Sequence, residues 1–152
     1  MYEAWLILHY VWTYGGDIAV VLCTAAAFRW GGRVERWGAG IYFVGGLLSF
    51  AVAHLRLEKV EGPHLLIMVI DVAVLLAFAR LSLWSRRPWT LVLTAFQFND
   101  VMIYPAAYLS HMDTFTFLTA LGFWGGWALL AVLTWAIWDH ARRQRSVSSA
   151  PA

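Results

Sequence analysis

Three aspartates lie inside long apolar stretches of this chain. Asp17, Asp71 and Asp100 occupy three separate stretches, and no Lys or Arg lies comparably deep in any of them. A charged Asp near the centre of a bilayer costs ~2.5 to 3.5 kcal/mol on insertion scales, so acids at such positions usually have a partner or a function. The three acids are therefore the first candidates for chemistry.

Further polar side chains accompany the acids. In the first stretch, His9, Thr13 and Asp17 fall on one face at helical spacing. Acids and histidines at several depths are typical of a path for protons or cations. The candidate path consists of Asp17, Asp71, Asp100, His9, His54, Thr13, Gln97, Asn99 and Tyr104.

The fourth apolar stretch contains four of these candidates, and they fall on different sides of a helix. Gln97 and Tyr104 share one side of a helix, Asp100 lies at the edge of that side, and Asn99 is turned away. Pro105 removes a backbone donor one turn beyond Asp100, so we expect a local polar pocket there. Two other interpretations stay open: each Asp forms a hydrogen bond across the bundle and sets helix register, or the acids meet a basic partner or a cofactor.

Cofactor and enzyme motifs are sparse. His9 and His54 approach the same outer surface from two different helices, which is the minimum needed to ligate a haem from both sides. Haem is thus a possible cofactor, although we expect none. Cys23 is the single cysteine, and no zinc spacing, phosphate loop or Ser/His/Asp arrangement is present. We predict no metal site, no catalytic residues and no enzymatic activity.

Composition identifies the class of protein. Hydrophobic residues make up 61% of the 152 residues and charged residues only 13%, which is typical of membrane proteins. A spanning helix needs about 20 mainly apolar residues. Five stretches qualify: 5–28, 37–55, 65–84, 89–109 and 115–138. We predict an all-α polytopic membrane helical bundle with five transmembrane helices, one domain over 1–140, and a basic, then disordered cytoplasmic tail over 141–152.

The basic residues predict an orientation. Nine of the eleven Lys and Arg residues fall in the first loop, around the third loop and in the tail. Short loops rich in Lys and Arg stay on the cytoplasmic side during insertion. The N-terminus is therefore expected outside and the C-terminus inside. Six tryptophans near the helix ends are expected to anchor at the membrane interface: Trp5, Trp30, Trp37, Trp84, Trp89 and Trp138.

Small residues predict where helices approach closely. Gly38, Gly45 and Ser49 fall on one side of the second helix, and Gly122 and Gly126 form a small-xxx-small pair in the fifth. These positions favour packing within the bundle or between copies of the chain.

Part of the chain resembles a group of known proteins. The segments Asp71-Val-Ala-Val-Leu-Leu-Ala-Phe, Arg86-Arg87-Pro88-Trp89 and Thr94-Ala95-Phe96-Gln97 resemble small hydrophobic proteins of alphaproteobacteria that have no assigned activity. The resemblance covers about a third of the chain. It implies the bacterial cytoplasmic (inner) membrane and assigns no functional residue.

Three functions are compatible with these observations. The leading prediction is a non-enzymatic inner-membrane protein that acts through protein contacts, as an accessory subunit or a small oligomer. The alternatives are a proton- or cation-conducting unit that uses the three acids, and a haem-binding electron-transfer subunit. The expected partners are membrane lipid and a membrane protein or further copies of the chain, and no nucleic acid is expected.

Overall fold

A computed structural model of the chain describes the backbone over residues 2–55 and 65–148 and the side chains over 15–53, 55 and 65–146. Within those ranges every regular element is a helix and no strand occurs. The predicted all-α class is confirmed.

The helices follow one another with short connections. In chain order they are α1 (Tyr2–Trp30), α2 (Arg33–His54), α3 (Leu65–Ser85), α4 (Pro88–Ser110), α5 (Thr114–Leu121), a π-helical segment (Gly122–Ala128) and α6 (Leu129–Ser148). The last three join end to end into one long rod. Each of the five predicted apolar stretches lies within this set, apart from Leu55, which directly follows α2.

Local chemistry explains the breaks between helices. Pro88 begins α4, where its missing N–H costs no hydrogen bond. His111 ends α4 in the left-handed conformation, with a φ of 50°. Asp113 caps α5, because its side chain accepts a hydrogen bond from the Thr116 N–H.

Among the residues that the structure describes, three helices are long and apolar enough to cross a membrane: Arg33–Ala53, Leu65–Ser85 and Thr114–Ser146. The predicted count of five is not reached. Gln97, Asn99 and Asp100 lower the hydropathy at the middle of α4. In α1 the described side chains begin only at Gly15.

The last helix is longer than the sequence indicates. It was expected to end near Trp138 and to give way to a tail, whereas α6 continues to Ser148. Asp139 and Arg143 form an ion pair one turn apart, at 2.8 Å, which supports this extension. Residues 149–152 lie outside the described ranges.

The helices of the bundle pack around one apolar core. α1 packs on α2 and α6, α2 on α3, α3 on α4, and α4 on the π-helical segment and α6. Phe78, Leu93, Leu129 and Leu133 are fully buried where these helices meet. The prediction that Trp89 anchors at the membrane interface is wrong. Trp89 is only 7% exposed and packs in this core. Its ring fills the space that the absent side chain of Gly38 leaves.

Two contacts bring the basic segments to one end of the bundle. Arg87, just before α4, forms an ion pair with Glu35 near the start of α2. His140 of α6 lies against Gly32, in the connection between α1 and α2. The first loop, the third loop and the end of α6 therefore share this end, which we call the basic end.

Candidate functional site

A cavity of about 380 Å³ lies among the helices at a distance from the basic end. Side chains from α1, α2, α3, α4 and the rod of α5 and α6 line it. The walls include three carboxyl groups, those of Asp17, Asp71 and Asp100. We call this space the acidic cavity. It is large enough for roughly a dozen water molecules at ~30 Å³ each.

Asp71 is held by α4. The Tyr104 hydroxyl donates a hydrogen bond to Oδ2 of Asp71 at 2.5 Å. The Gln97 side-chain amide lies 3.4 Å from the backbone carbonyl of Asp71 and 3.2 Å from Oδ2 of Asp100, and donates to both. Gln97 therefore links the two acids, and residues of α4 fix the position of Asp71 on α3.

Asp100 faces the π-helical segment. The residue is 3% exposed, and Oδ1 accepts no hydrogen bond from a described side chain. A Cβ added at Gly125 would lie 2.6 to 2.8 Å from the three atoms of the Asp100 carboxyl group. Glycine is therefore required where the carboxyl group approaches this backbone so closely.

Tyr42 holds the same segment from the side of α2. Its hydroxyl lies 3.0 Å from the carbonyl oxygen of Gly125 and 3.1 Å from that of Gly126, and donates to them. The glycines weaken the preference for regular α-helix, and the tyrosine provides a donor for the displaced carbonyls. Single π-helical turns often mark functional sites in helices.

Asp17 reaches the cavity from α1 and is the most accessible of the three acids. Its residue is exposed, whereas Asp71 is half-buried and Asp100 is buried. Asp17 thus lies at an open side of the acidic cavity, and Asp100 lies at its closed side. The two ends of the site differ in access to the surroundings.

The electrostatics favour a positively charged occupant. No Lys, Arg or His is among the described residues that line the acidic cavity. Carboxylates without a cationic partner in a low-dielectric environment attract protons or cations. Over the described part of the chain, no three His, Cys, Asp or Glu side chains stand close enough to hold a metal ion.

An apolar layer separates the acidic cavity from the basic end. Phe78, Leu93 and Leu133 each lie toward the basic end from the cavity residues on the same helix, and all three are fully buried. This layer belongs to the apolar core. A cation that passes from one end of the bundle to the other would need these side chains to move.

The structure brings together only some of the candidate residues. Asp17, Asp71, Asp100, Gln97 and Tyr104 line the acidic cavity. Asn99 is exposed and does not line it, because it projects from the opposite side of α4.

Three further candidates lie outside the described side chains, namely His9, Thr13 and His54. The haem hypothesis depends on His9 and His54, so it stays a prediction. Residues 56–64, which include the second loop, are also outside the described ranges.

The small residues have different roles from one another. Gly38 permits the close approach of Trp89 and Leu133, and Gly45 meets Val74 of α3. Both are helix contacts of the predicted kind.

The other three packing candidates, Ser49, Gly122 and Gly126, line the acidic cavity. A Cβ at Gly126 would meet no atom within 4 Å. Within the described bundle no neighbouring helix packs against this position, because the π-helical segment turns Gly126 toward the cavity; packing between copies of the chain stays a prediction.

Two buried residues have contacts that no pattern in the sequence predicts. Tyr42 has no polar neighbour in sequence that marks it, and its role depends on Gly125, which is distant along the chain. Glu35 is 1% exposed and pairs with Arg87, although it lies in a segment whose flanking arginines suggest a solvated loop. The single acid between Arg33 and Arg36 was the available signal for Glu35.

Comparison with protein-family models, with curated proteins and with solved structures finds no match for this chain.

Proposed function

We propose that this chain is a multi-pass protein of the bacterial inner membrane that takes up a proton or a small monovalent cation in the acidic cavity. In this proposal the chain crosses the membrane five times, with its N-terminus outside and the basic end in the cytoplasm. Uptake at the cavity is the binding step of a proton- or cation-transport unit. Asp71 and Asp100 are the binding groups, and Asp17 lies at the entrance.

A single observation carries this proposal: three carboxyl groups from three helices line one cavity, and no basic side chain is among the described residues that line it. The buried Oδ1 of Asp100, which accepts no hydrogen bond from a described side chain, is a position where a proton or cation would be stabilised. Gln97 connects this acid to Asp71 and so provides a short polar path between the two.

Flux across a sealed membrane tests the proposal. The purified protein is reconstituted into liposomes with a pH-sensitive dye inside, and a pH or sodium gradient is imposed. We expect flux above that of empty liposomes, and we expect Asp71→Asn and Asp100→Asn each to lower it about tenfold or more. The asparagine side chain keeps the size and polarity of aspartate but binds neither a proton nor a cation by charge.

Asp113→Asn is the matched control, because Asp113 is exposed in the connection between α4 and α5. This variant should retain the flux of the wild type. Thermal unfolding in detergent establishes that each variant is folded. Wild-type flux equal to that of empty liposomes, or unchanged flux in folded Asp71→Asn and Asp100→Asn proteins, would refute the proposal.

A second candidate function is that of an accessory subunit or small oligomer that acts through protein contacts. The observation that favours it is the hydrogen-bonding state of the acids: Tyr104 donates to one carboxyl oxygen of Asp71, and Gln97 donates to one carboxyl oxygen of Asp100, within the bundle. In that case the acids serve to set the register of α3 against α4.

Purification in mild detergent separates the two functions. An accessory subunit should bring down a larger membrane protein in fixed stoichiometry, or run as a defined oligomer, and the association should persist in Asp100→Asn. A lone monomer with acid-dependent flux would count against the accessory function.

A further inference from the structure

We propose that the groove between α2 and α3 binds one phospholipid with an anionic headgroup. The groove has a volume of about 1060 Å³ and is separate from the acidic cavity for most of its length. Its two walls belong to helices that are each long and apolar enough to cross a membrane. The inference therefore does not depend on the number of spans or on transport.

The side chains that form the walls of the groove are apolar or small, which suits contact with acyl chains. The walls include Gly40, Val44 and Leu48 from α2 and Val69, Ala73 and Ala77 from α3. A Cβ at Gly40 would meet no atom within 4 Å, so no side chain of the described bundle fills the groove there. Transfer of hydrocarbon surface out of water into such a space is favourable, and small residues allow close contact.

One end of the groove carries positive charge. Arg33 and Arg36 line it at the basic end, and no Asp or Glu is among the described residues that line the groove. The Arg33 guanidinium lies 5.5 Å from the centroid of the Trp84 ring, which positions it beside α3. Two guanidinium groups one turn apart provide several N–H donors for a phosphate diester.

The dimensions agree with a single lipid in one leaflet. From Arg36 to Leu48 the groove extends about 18 Å along α2, at a rise of ~1.5 Å per residue. One leaflet of hydrocarbon is about 15 Å thick, half of the ~30 Å core. A headgroup at the arginines therefore places the acyl chains along the apolar walls. Arg33 and Arg36 favour an anionic headgroup over a zwitterionic one.

Native mass spectrometry tests the inference. The full chain is purified in detergent, and phosphatidylglycerol or phosphatidylcholine with identical acyl chains is added in equal amounts. We expect the wild type to retain one phosphatidylglycerol roughly tenfold more than phosphatidylcholine. Arg33→Gln/Arg36→Gln should remove the preference, whereas Arg142→Gln, on α6 and outside the groove, should keep it.

Gly40→Phe tests the groove itself. A phenylalanine at this open position would occupy the path of the acyl chains, so both lipids should be lost. Thermal unfolding without added lipid shows whether this variant folds; if it does not, the arginine double variant decides. Equal retention of the two lipids, retention of neither by the wild type, or an unchanged preference in Arg33→Gln/Arg36→Gln would overturn the inference.

Discussion

The carboxyl group of Asp100 packs directly against the backbone of Gly125: a Cβ at Gly125 would lie 2.6 Å from Oδ1. Asp100 comes from the middle of α4, and Gly125 lies at the centre of the π-helical segment. The contact joins the most buried acid of the cavity to the only described stretch of irregular helix. The position of the acid and the shape of the last rod therefore depend on each other.

The first prediction concerns that contact. Gly125→Ala should destabilise the protein by about 1 to 3 kcal/mol, because the added methyl group has no room beside the Asp100 carboxyl group. Gly126→Ala is a matched control one residue away, where a Cβ meets no atom within 4 Å. It should be neutral or stabilise by up to ~1 kcal/mol. Thermal unfolding of both variants in one detergent checks this, and equal effects would contradict it.

Tyr42 should stabilise the π-helical segment. Tyr42→Phe removes the hydroxyl that donates to the carbonyls of Gly125 and Gly126. Loss of a donor to buried carbonyls costs about 1 to 3 kcal/mol. Tyr108→Phe serves as control, because Tyr108 is 74% exposed. Denaturant unfolding should show a clear loss for the first variant only; a similar midpoint for both would argue against this role of Tyr42.

The ion pair between Glu35 and Arg87 should contribute measurably to stability. Removal of one partner from a fully buried pair costs about 3 to 5 kcal/mol. Arg87 is 41% exposed, so we expect a smaller coupling energy of about 2 kcal/mol. A double-mutant cycle with Glu35→Gln and Arg87→Gln measures it.

A second cycle provides the comparison for that pair. Asp139 and Arg143 form an exposed pair on α6 and should couple by less than about 0.5 kcal/mol. Coupling at Glu35 and Arg87 no larger than this would show that their proximity adds nothing to stability.

The cap of α5 should respond to acid. Hydrogen bonds from the Thr116 hydroxyl and N–H lower the pKa of Asp113 below its ordinary value. A group with a lowered pKa in the folded state contributes stability that is fully present above its unfolded pKa, roughly 4, and lost as the pH falls through the lower folded value.

Carbon NMR of the Asp113 carboxyl group in detergent micelles measures this titration directly. The expected midpoint is below that of a model peptide, and Thr116→Val should raise it toward the peptide value by removing the hydroxyl donor. A midpoint at or above the peptide value in the wild type would contradict the prediction.

Local features of the sequence were sufficient to predict where most of the helices lie. Apolar length and turn chemistry act within a few residues, so the bounds of α3 and α4 agree with the predicted stretches to within one residue. The end of α6 was not predictable in this way, because its polar continuation has no apolar pattern and is supported by an ion pair at Asp139 and Arg143. The π-helical segment was likewise missed, since its geometry depends on Tyr42 and Asp100.

The sequence by itself determined that the chain is helical, that it contains long apolar stretches, and that acids interrupt those stretches. Hydropathy and helical period are properties of neighbouring residues, so one sequence shows them. Only the tertiary structure decided that Asp17, Asp71 and Asp100 line one cavity, that Asn99 does not, and that Glu35 meets Arg87. These relations depend on how helices rotate and pack against one another, and residues distant along the chain set that packing jointly.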